Sequence, residues 1–189
     1  MKRIGLSPAV LVTFALLALL VFVSGGCGSS GNPVITSPIM FNYVPTTGPS
    51  PSVTTALGAA STGNVAEIEI HVTDVLDVLG AGFTIDFDPT TVSFVDFDVA
   101  GSHLSSDGAT IQPFAQLTGT GQITVGVTRL GASGIDFNGR QLLIVIRFRR
   151  VTPNGTSMVM FGNNDLLDSM APPQPIPGVQ WFGGEFQVN

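Results

Sequence analysis

Residues 82–88 read Gly82-Phe83-Thr84-Ile85-Asp86-Phe87-Asp88, and this strict alternation of apolar and polar side chains is the strongest indication of a β fold in the chain. Successive side chains of a β-strand point to opposite faces, so Phe83, Ile85 and Phe87 form one apolar face. Pro89 then ends the segment in a turn. A strand that is apolar on one side only predicts a sheet with one face in a core and the other face in solvent.

Similar short runs of β-branched and aromatic residues recur along the chain, separated by turn residues, and no segment shows a helical stripe. The pattern of residues 92–99 slips by one near Val95, which predicts a β-bulge. The predicted strands are residues 53–57, 65–72, 82–88, 92–99, 110–116, 122–129, 142–151, 157–161 and 180–188. This spacing is typical of an all-β fold, and we predict a nine-stranded β-sandwich with jelly-roll topology.

The composition of the chain excludes several other classes of protein. Only 11% of the 189 residues are charged, whereas globular proteins average about 25%. A coiled coil would need far more charge, and a disordered tail would contain fewer apolar residues than the 44% found here. The formal net charge of the chain is −6, whereas a nucleic-acid binder needs a basic surface. We therefore expect no nucleic-acid partner.

The amino-terminal segment has the pattern of a secretory signal peptide. Lys2 and Arg3 precede an uncharged apolar run at residues 10–23, and small residues follow up to Cys27. The apolar run is shorter than the roughly 20 residues that cross a membrane as a helix. We therefore predict a signal peptide at residues 1–26, after which the chain has no lysine.

Cys27 is the only cysteine of the chain, and the segment before it resembles a bacterial lipobox. The resemblance implies acylation of Cys27 and a lipid anchor in the cell envelope. The residue after Cys27 is Gly28. The resemblance to lipoproteins implies that a residue other than an acid at this position permits sorting to the outer membrane. Ser24 stands where a lipobox usually has an aliphatic residue. The alternative is therefore an ordinary signal peptide followed by a free thiol, which is unusual in a secreted protein.

The rest of the chain divides into a tether and a domain. Residues 27–51 are rich in Gly, Ser and Pro, a composition typical of linkers. An apolar patch at residues 39–44 interrupts this tether, and it either packs on the domain or adds a strand to it. Residues 52–189 form the predicted domain.

Several motifs of the domain resemble those of cohesins, the bacterial sandwich modules that bind dockerin modules. They are, in order, residues 80–89 continuing into 92–95, residues 123–127 with the Gly-rich loop 131–134, and residues 142–148, 154–161, 163–166 and 181–188. The resemblance extends from about residue 52 to residue 189. Carbohydrate-binding modules of cellulose- and chitin-active enzymes share the fold, so the fold alone does not determine the function.

The resemblance implies a non-catalytic module that docks a partner protein through one sheet face and its bordering loops. The implied partner carries a dockerin, which brings its own calcium, so this chain needs no cofactor. Gly80 and Gly82 stand where many cohesins have polar side chains. The candidate partner-binding residues are Gly80, Gly82, Thr84, Asp86, Gln112, Gln116, Thr124, Thr128, Asn163, Asn164 and Asp165.

Two alternative functions remain at this level, namely direct binding of a polysaccharide and a surface scaffold without a specific ligand. Sugar-binding faces usually present several aromatic platforms. Tyr43 and Trp181 are the only Tyr and Trp of the chain, which argues against such a face. In either docking or sugar binding, the resemblance links the protein to polysaccharide catabolism at the cell surface.

The remaining polar residues favour structural roles over catalysis. One alternative is a calcium site, which needs six to eight oxygen ligands. Its carboxylates would come from Asp86, Asp88, Asp96 and Asp98. Asp88 before Pro89 is more simply a turn former. His71, expected to point outward, and His103 are isolated, and no Gly-x-Ser-x-Gly elbow occurs. We expect no enzymatic activity. Arg147 and Arg149 share a strand face and are expected to pair with acids on neighbouring strands.

Overall fold

The computed structural model describes residues 39–43, 50–131 and 133–189. The predicted signal peptide and Cys27 lie outside these ranges. The described residues form eleven strands: β1 (Met40–Tyr43), β2 (Ser52–Leu57), β3 (Val65–Val78), β4 (Gly80–Asp86), β5 (Val92–Asp98), β6 (Ile111–Gly119), β7 (Gln122–Arg129), β8 (Ile135–Arg150), β9 (Gly155–Leu167), β10 (Gln180–Phe182) and β11 (Gly184–Val188). One 3₁₀ turn at His103–Ser105 lies between β5 and β6. In the described part of the chain, no helix is long and apolar enough to cross a membrane.

The strands form two sheets, and the predicted all-β sandwich is confirmed. The front sheet has six strands in the order β1-β11-β9-β4-β7-β6, and the back sheet has five in the order β10-β2-β3-β8-β5. Neighbouring strands are antiparallel, except that β10 runs parallel to β2. The sequence indicated nine strands, and the two further ones come from the ends of the domain.

The first further strand is β1, which answers the question left open for the apolar patch at residues 39–44. β1 pairs with β11 at the edge of the front sheet. The ring of Phe41 packs edge-to-face on Phe186 at 5.0 Å between centroids, and Ile39 is buried beside it. Residues Met40–Tyr43 of the patch therefore form an edge strand that closes one side of the core.

The second further strand arises because the predicted last strand, residues 180–188, is divided at Gly183 into β10 and β11. Residues before Gly183 form β10 beside β2 in the back sheet, and residues after it form β11 beside β9 in the front sheet. Trp181 turns inward, where its ring lies 5.3 Å from Phe83 and 5.1 Å from Phe161. The only tryptophan thus packs against the core at the point where the chain changes sheets.

Bulges explain the strands that extend beyond their predicted ends. The register between β3 and β8 shifts after Ile70 and twice more near Asp74 and Asp77, whose φ angles of +51° and +55° are left-handed. A bulge breaks the alternation by which a strand is read from sequence, so β3 appears to end at residue 72. The slip predicted near Val95 is confirmed, because the register of β5 on β8 shifts between Phe94 and Asp96.

The core lies between the sheets and is built on phenylalanine. Phe83, Ile85 and Phe87 all point into it, as their alternation predicts. Phe148 on β8 contacts Phe87 and Phe186 with ring centroids 5.2 Å and 5.1 Å apart. Edge-to-face pairs of this kind add to the free energy gained from burial, and they join the two sheets without a disulfide.

Candidate docking face

The outer surface of the front sheet brings most of the predicted partner-binding residues into three rows. Strand β4 lies between β7 and β9, and β6 pairs with the far side of β7. In each row, residues of β4, β7 and β6 stand side by side. The rows are Gly80, Thr128 and Gln112; Gly82, Gly126 and Phe114; and Thr84, Thr124 and Gln116. We call this surface, together with the outward residues of β9, the front face.

A groove of about 700 Å³ crosses the front face between β9 and β6. Seven predicted residues line it: Gly82, Thr84, Gln112, Thr124, Thr128, Asn163 and Asp165. The other four predicted residues lie outside it. Gly80 lies beneath Thr128, Asp86 accepts a hydrogen bond from Gln122 Nε2 at 2.7 Å, Gln116 stands beyond the groove on β6, and Asn164 is half-buried on β9.

Two glycines form the floor of the groove, and one phenylalanine forms a wall. The ring of Phe114 lies directly over Gly126, where any Cβ would overlap it. Gly82, in the same row, has no atom within 4 Å of the position its Cβ would take. Phe114 remains 51% exposed, so an open, backbone-floored trough lies beside an accessible aromatic ring.

Sequence reasoning missed Phe114 and Gly126. One signal was present, because Phe114 alternates with Gln112 and Gln116 and therefore shares their outward phase. A large aromatic side chain on a solvated phase of an edge strand is a feature of interaction surfaces. That its ring lies over Gly126 depends on the pairing of β6 with β7, which no local pattern predicts.

Some polar side chains of the front face are bonded within the sheet and others are not. Thr84 Oγ1 donates to the carbonyl oxygen of Gly162 at 2.8 Å, and the hydroxyls of Thr118 and Thr124 are 3.0 Å apart. By contrast, within the described part of the chain the side chains of Gln112, Asn163 and Asp165 make no hydrogen bond or ion pair. They can therefore bond to another molecule without breaking an internal contact.

Exposed methionines extend the apolar character of the front face beyond the groove. Met158 and Met160 on β9 are each more than half exposed, and Met40 on β1 is nearly so. Met160 pairs with Asp86 of β4, so these side chains adjoin the rows described above. Methionine is flexible and polarizable, and it adapts readily to the shape of a partner. The sequence analysis did not single out these residues.

The outer surface of the back sheet is different in kind. Arg147 on β8 reaches Glu67 at 2.7 Å, Asp96 at 3.1 Å and Asp98 at 3.2 Å. The hydrogen bond that Arg147 donates to Glu67, followed by the one that it donates to Asp96, raises the pKa of the guanidinium above its usual value. The predicted pairing with acids on neighbouring strands is confirmed for Arg147, whereas the exposed Arg149 makes no ion pair within the described residues.

The four acids considered for calcium are separated by the fold. Asp86 lies on the front sheet, whereas Asp96 and Asp98 lie on the back sheet with Arg147. Asp88 forms the predicted turn, accepting bonds from the backbone and hydroxyl of Thr90 at 2.8 Å and 2.7 Å. These bonds lower the pKa of Asp88. Within the residues described, no three His, Cys, Asp or Glu side chains are placed to hold a metal ion.

The two histidines have structural partners. His71 Nε2 lies 2.9 Å from Glu69, on the outer side of β3 as predicted, but the residue is only 9% exposed. This burial lowers the pKa of the imidazole. His103 Nε2 lies 3.0 Å from the carbonyl oxygen of Asp136, with its ring against Phe137.

Comparison with known proteins finds similarity in structure alone. No protein-family model and no curated protein sequence matches the chain. A type II cohesin domain from the cellulosome of Acetivibrio cellulolyticus superposes with a TM-score of 0.55 at 16% identity, over 75% of this chain and 96% of that one. The fold is that of a cohesin domain.

Two further cohesins support this assignment of the fold. A non-cellulosomal cohesin from the archaeon Archaeoglobus fulgidus gives a TM-score of 0.51 at 16% identity, over 73% of this chain and 91% of that one. The type II cohesin in a cohesin–X–dockerin complex from Acetivibrio cellulolyticus gives a TM-score of 0.52 at 13% identity, over 70% of this chain and 96% of that one. The cohesin-like domain described here therefore shares its architecture with modules of diverse sequence.

Proposed function

We propose that the cohesin-like domain is a non-catalytic docking module that binds a partner protein through its front face. The observation that carries this proposal is the contrast between its two outer surfaces. The front face combines exposed Phe114, Met158 and Met160 with unbonded polar side chains, whereas Arg147 neutralises acids on the back. Aromatic residues and methionine are enriched in protein interfaces, and charged residues are depleted at their centres.

We further propose that the partner is a dockerin-bearing protein and that the complex serves polysaccharide catabolism. The dockerin in one similar solved structure supports this choice of partner. The strands that form the front face also carry several of the motifs through which the sequence resembles cohesins. Because Gly80 and Gly82 replace polar side chains at the head of β4, the contact there relies on shape more than on side-chain hydrogen bonds.

Thr124→Arg is expected to abolish docking, because Thr124 lies at the centre of the front face and points into the groove. The long charged side chain would occupy the groove and weaken partner binding by about a hundredfold or more, as at interface hot spots. The measurement is capture of dockerin-bearing proteins from the source organism by the full chain, tagged at its carboxyl end, with and without a calcium chelator.

Val145→Arg is the matched control, since Val145 points outward from the centre of the back sheet. Its neighbours there are Glu69 and Asp98, which accommodate a cation. We expect calcium-dependent capture that Thr124→Arg loses and Val145→Arg keeps. Equal capture by both variants would contradict docking through the front face. Retardation in gels of cellulose, chitin or xylan, removed by Thr124→Arg, would support the sugar-binding alternative instead.

We also propose that the domain is displayed from the cell envelope by an acylated Cys27, which lies outside the described residues. Acyl chains contribute roughly 0.8 kcal/mol per buried methylene, so several chains hold a protein firmly at a membrane. Cys27→Ala is expected to move the protein from the membrane fraction to the soluble fraction, measured by fractionation and immunoblotting. If the variant remains with membranes, Cys27 is not the anchor.

A further inference from the structure

The trough above Gly82 is the part of the groove best shaped to receive a side chain. No atom lies within 4 Å of the position of a Cβ on Gly82, and the ring of Phe114 stands over the neighbouring Gly126. Ala81, Val127 and Leu167 also contribute to the lining. A groove of about 700 Å³ lies within the range of about 300–1,000 Å³ that binds drug-sized ligands. It is therefore large enough for one bulky side chain and parts of its neighbours.

The electrostatics of the groove distinguish between the side chains that could enter. Asp165 is the only charged residue among those that line it. Within the described residues no cation pairs with its carboxylate, and it is exposed. A second acid approaching the groove would be repelled, whereas a basic side chain would find an unpaired partner. Asn163 and Gln112, at opposite sides of the trough, offer amide groups that are not bonded within the described chain.

We propose that the groove binds a protein segment that inserts one large apolar side chain, aromatic or long aliphatic, over Gly82, with a Lys or Arg beside it that pairs with Asp165. This inference rests on the proposed docking function and specifies its chemistry. The anchor side chain packs against the ring of Phe114, and bare backbone at Gly82 allows it to approach the sheet closely. A partner that presents an acidic side chain at this position is disfavoured, because Asp165 would repel it and no cationic side chain among the described residues lines the groove.

Gly82→Leu tests the anchor, because it fills the trough from within while its Cβ meets no other atom. Gly119→Leu is the matched control: Gly119 lies on β6 of the same sheet, outside the groove, and its Cβ would only touch Gln122 at 3.9 Å. Asp165→Asn removes the charge and keeps the size of the side chain. Urea unfolding of each variant verifies that the domain remains folded before binding is compared.

The probe is a displayed library of random fifteen-residue peptides selected on the full chain, immobilised by a carboxyl-terminal tag. Enriched peptides are expected to share a Phe, Trp, Leu or Met with a Lys or Arg within four positions. Their dissociation constants should rise about tenfold or more on Gly82→Leu, as for loss of an interface anchor, and stay unchanged on Gly119→Leu. On Asp165→Asn they should rise about fivefold, and binding should lose most of its salt dependence.

Absence of enrichment, enrichment of acidic or purely polar peptides, or equal binding to Gly82→Leu would each overturn the proposed anchor. Failure of the anchor is distinguishable from failure of docking. If Thr124→Arg abolishes capture of the partner and Gly82→Leu leaves it intact, the front face docks a protein without inserting a side chain over Gly82. If neither variant affects capture, the docking function itself is wrong.

Discussion

Replacing Arg129 with alanine is expected to lower the free energy of unfolding by about 3 kcal/mol, because the buried carbonyl group of Leu104 and the carbonyl group of Ser133 both lose their donor. The Arg129 side chain is 2% exposed. It donates to the carbonyl oxygens of Leu104 and Ser133 and to both carboxylate oxygens of Asp107. These bonds tie the end of β7 to the segment before β6, which contains Leu104 and Asp107, and to the segment before β8, which contains Ser133. Urea denaturation at neutral pH measures the loss.

Asp107→Asn is the control for this prediction, since it removes the charge of the partner while the carbonyl groups of Leu104 and Ser133 keep their donor. The Asp107 side chain is half-exposed, so a smaller effect is expected than for Arg129→Ala. If Arg129→Ala costs less than about 1 kcal/mol, a typical value for an average substitution, the clamp is not a major source of stability.

The same pair makes a specific contribution to acid stability. The hydrogen bond from Arg129 is the main reason that the pKa of Asp107 falls from 3.8 to about 2. A carboxyl group whose pKa is lowered by folding stabilises the folded state at pH values above its pKa in the unfolded chain. This stabilisation is lost as the pH falls through its pKa in the folded state. The contribution of Asp107 is therefore complete above about pH 4 and disappears towards pH 2. In Arg129→Ala this part of the pH dependence should be smaller, because only backbone hydrogen bonds, chiefly that from the N–H of Ala109, still lower the pKa of Asp107.

Gly183→Ala is expected to destabilise the domain by about 3 kcal/mol, at the upper end of the range for overpacking. A Cβ on Gly183 would overlap the backbone carbonyl of Val159 on β9, and backbone cannot move aside as the end of a flexible side chain can. Gly183 is also the point where the chain passes from the back sheet to the front sheet. Thermal and urea unfolding of the purified variant measure the effect.

Gly82→Ala is the matched control, because Gly82 is a strand glycine of the same sandwich whose Cβ would meet nothing. Its free energy of unfolding should stay within about 1 kcal/mol of the parent protein. Equal stability of Gly183→Ala and Gly82→Ala would show that β9 and the crossover can separate at little cost, contrary to the close packing seen between them.

Much of the fold follows from local pattern. The alternation of residues 82–88 correctly places Phe83, Ile85 and Phe87 in the core, and the phase slip near Val95 correctly marks a bulge. The beginning of β3 at Val65 was predicted correctly, but its carboxyl end could not be read in this way. Its bulges near Asp74 and Asp77 break the period of two on which strand prediction depends.

The candidate site was predicted only in part. Seven of the predicted residues line the groove, because period-two alternation assigns outward positions within each strand. Phe114 and Gly126 were missed, since they lie twelve positions apart in sequence and meet only through the pairing of β6 with β7. Met158 and Met160 were missed for a different reason: methionine is common in cores, and its exposure depends on which face of β9 is covered.

The periodicity of the side chains predicts the all-β sandwich and the inward and outward phases of its regular strands, because periodicity is a local property. Export of the domain stays a prediction from composition. Pairing between strands distant in sequence makes Met40–Tyr43 a strand of the domain, takes the chain from one sheet to the other at Gly183, and leaves an open trough at Gly82 while Gly126 lies under Phe114. A glycine has no side chain whose polarity could indicate its environment. Whether the space above it is open or filled therefore depends on strands that are distant in sequence.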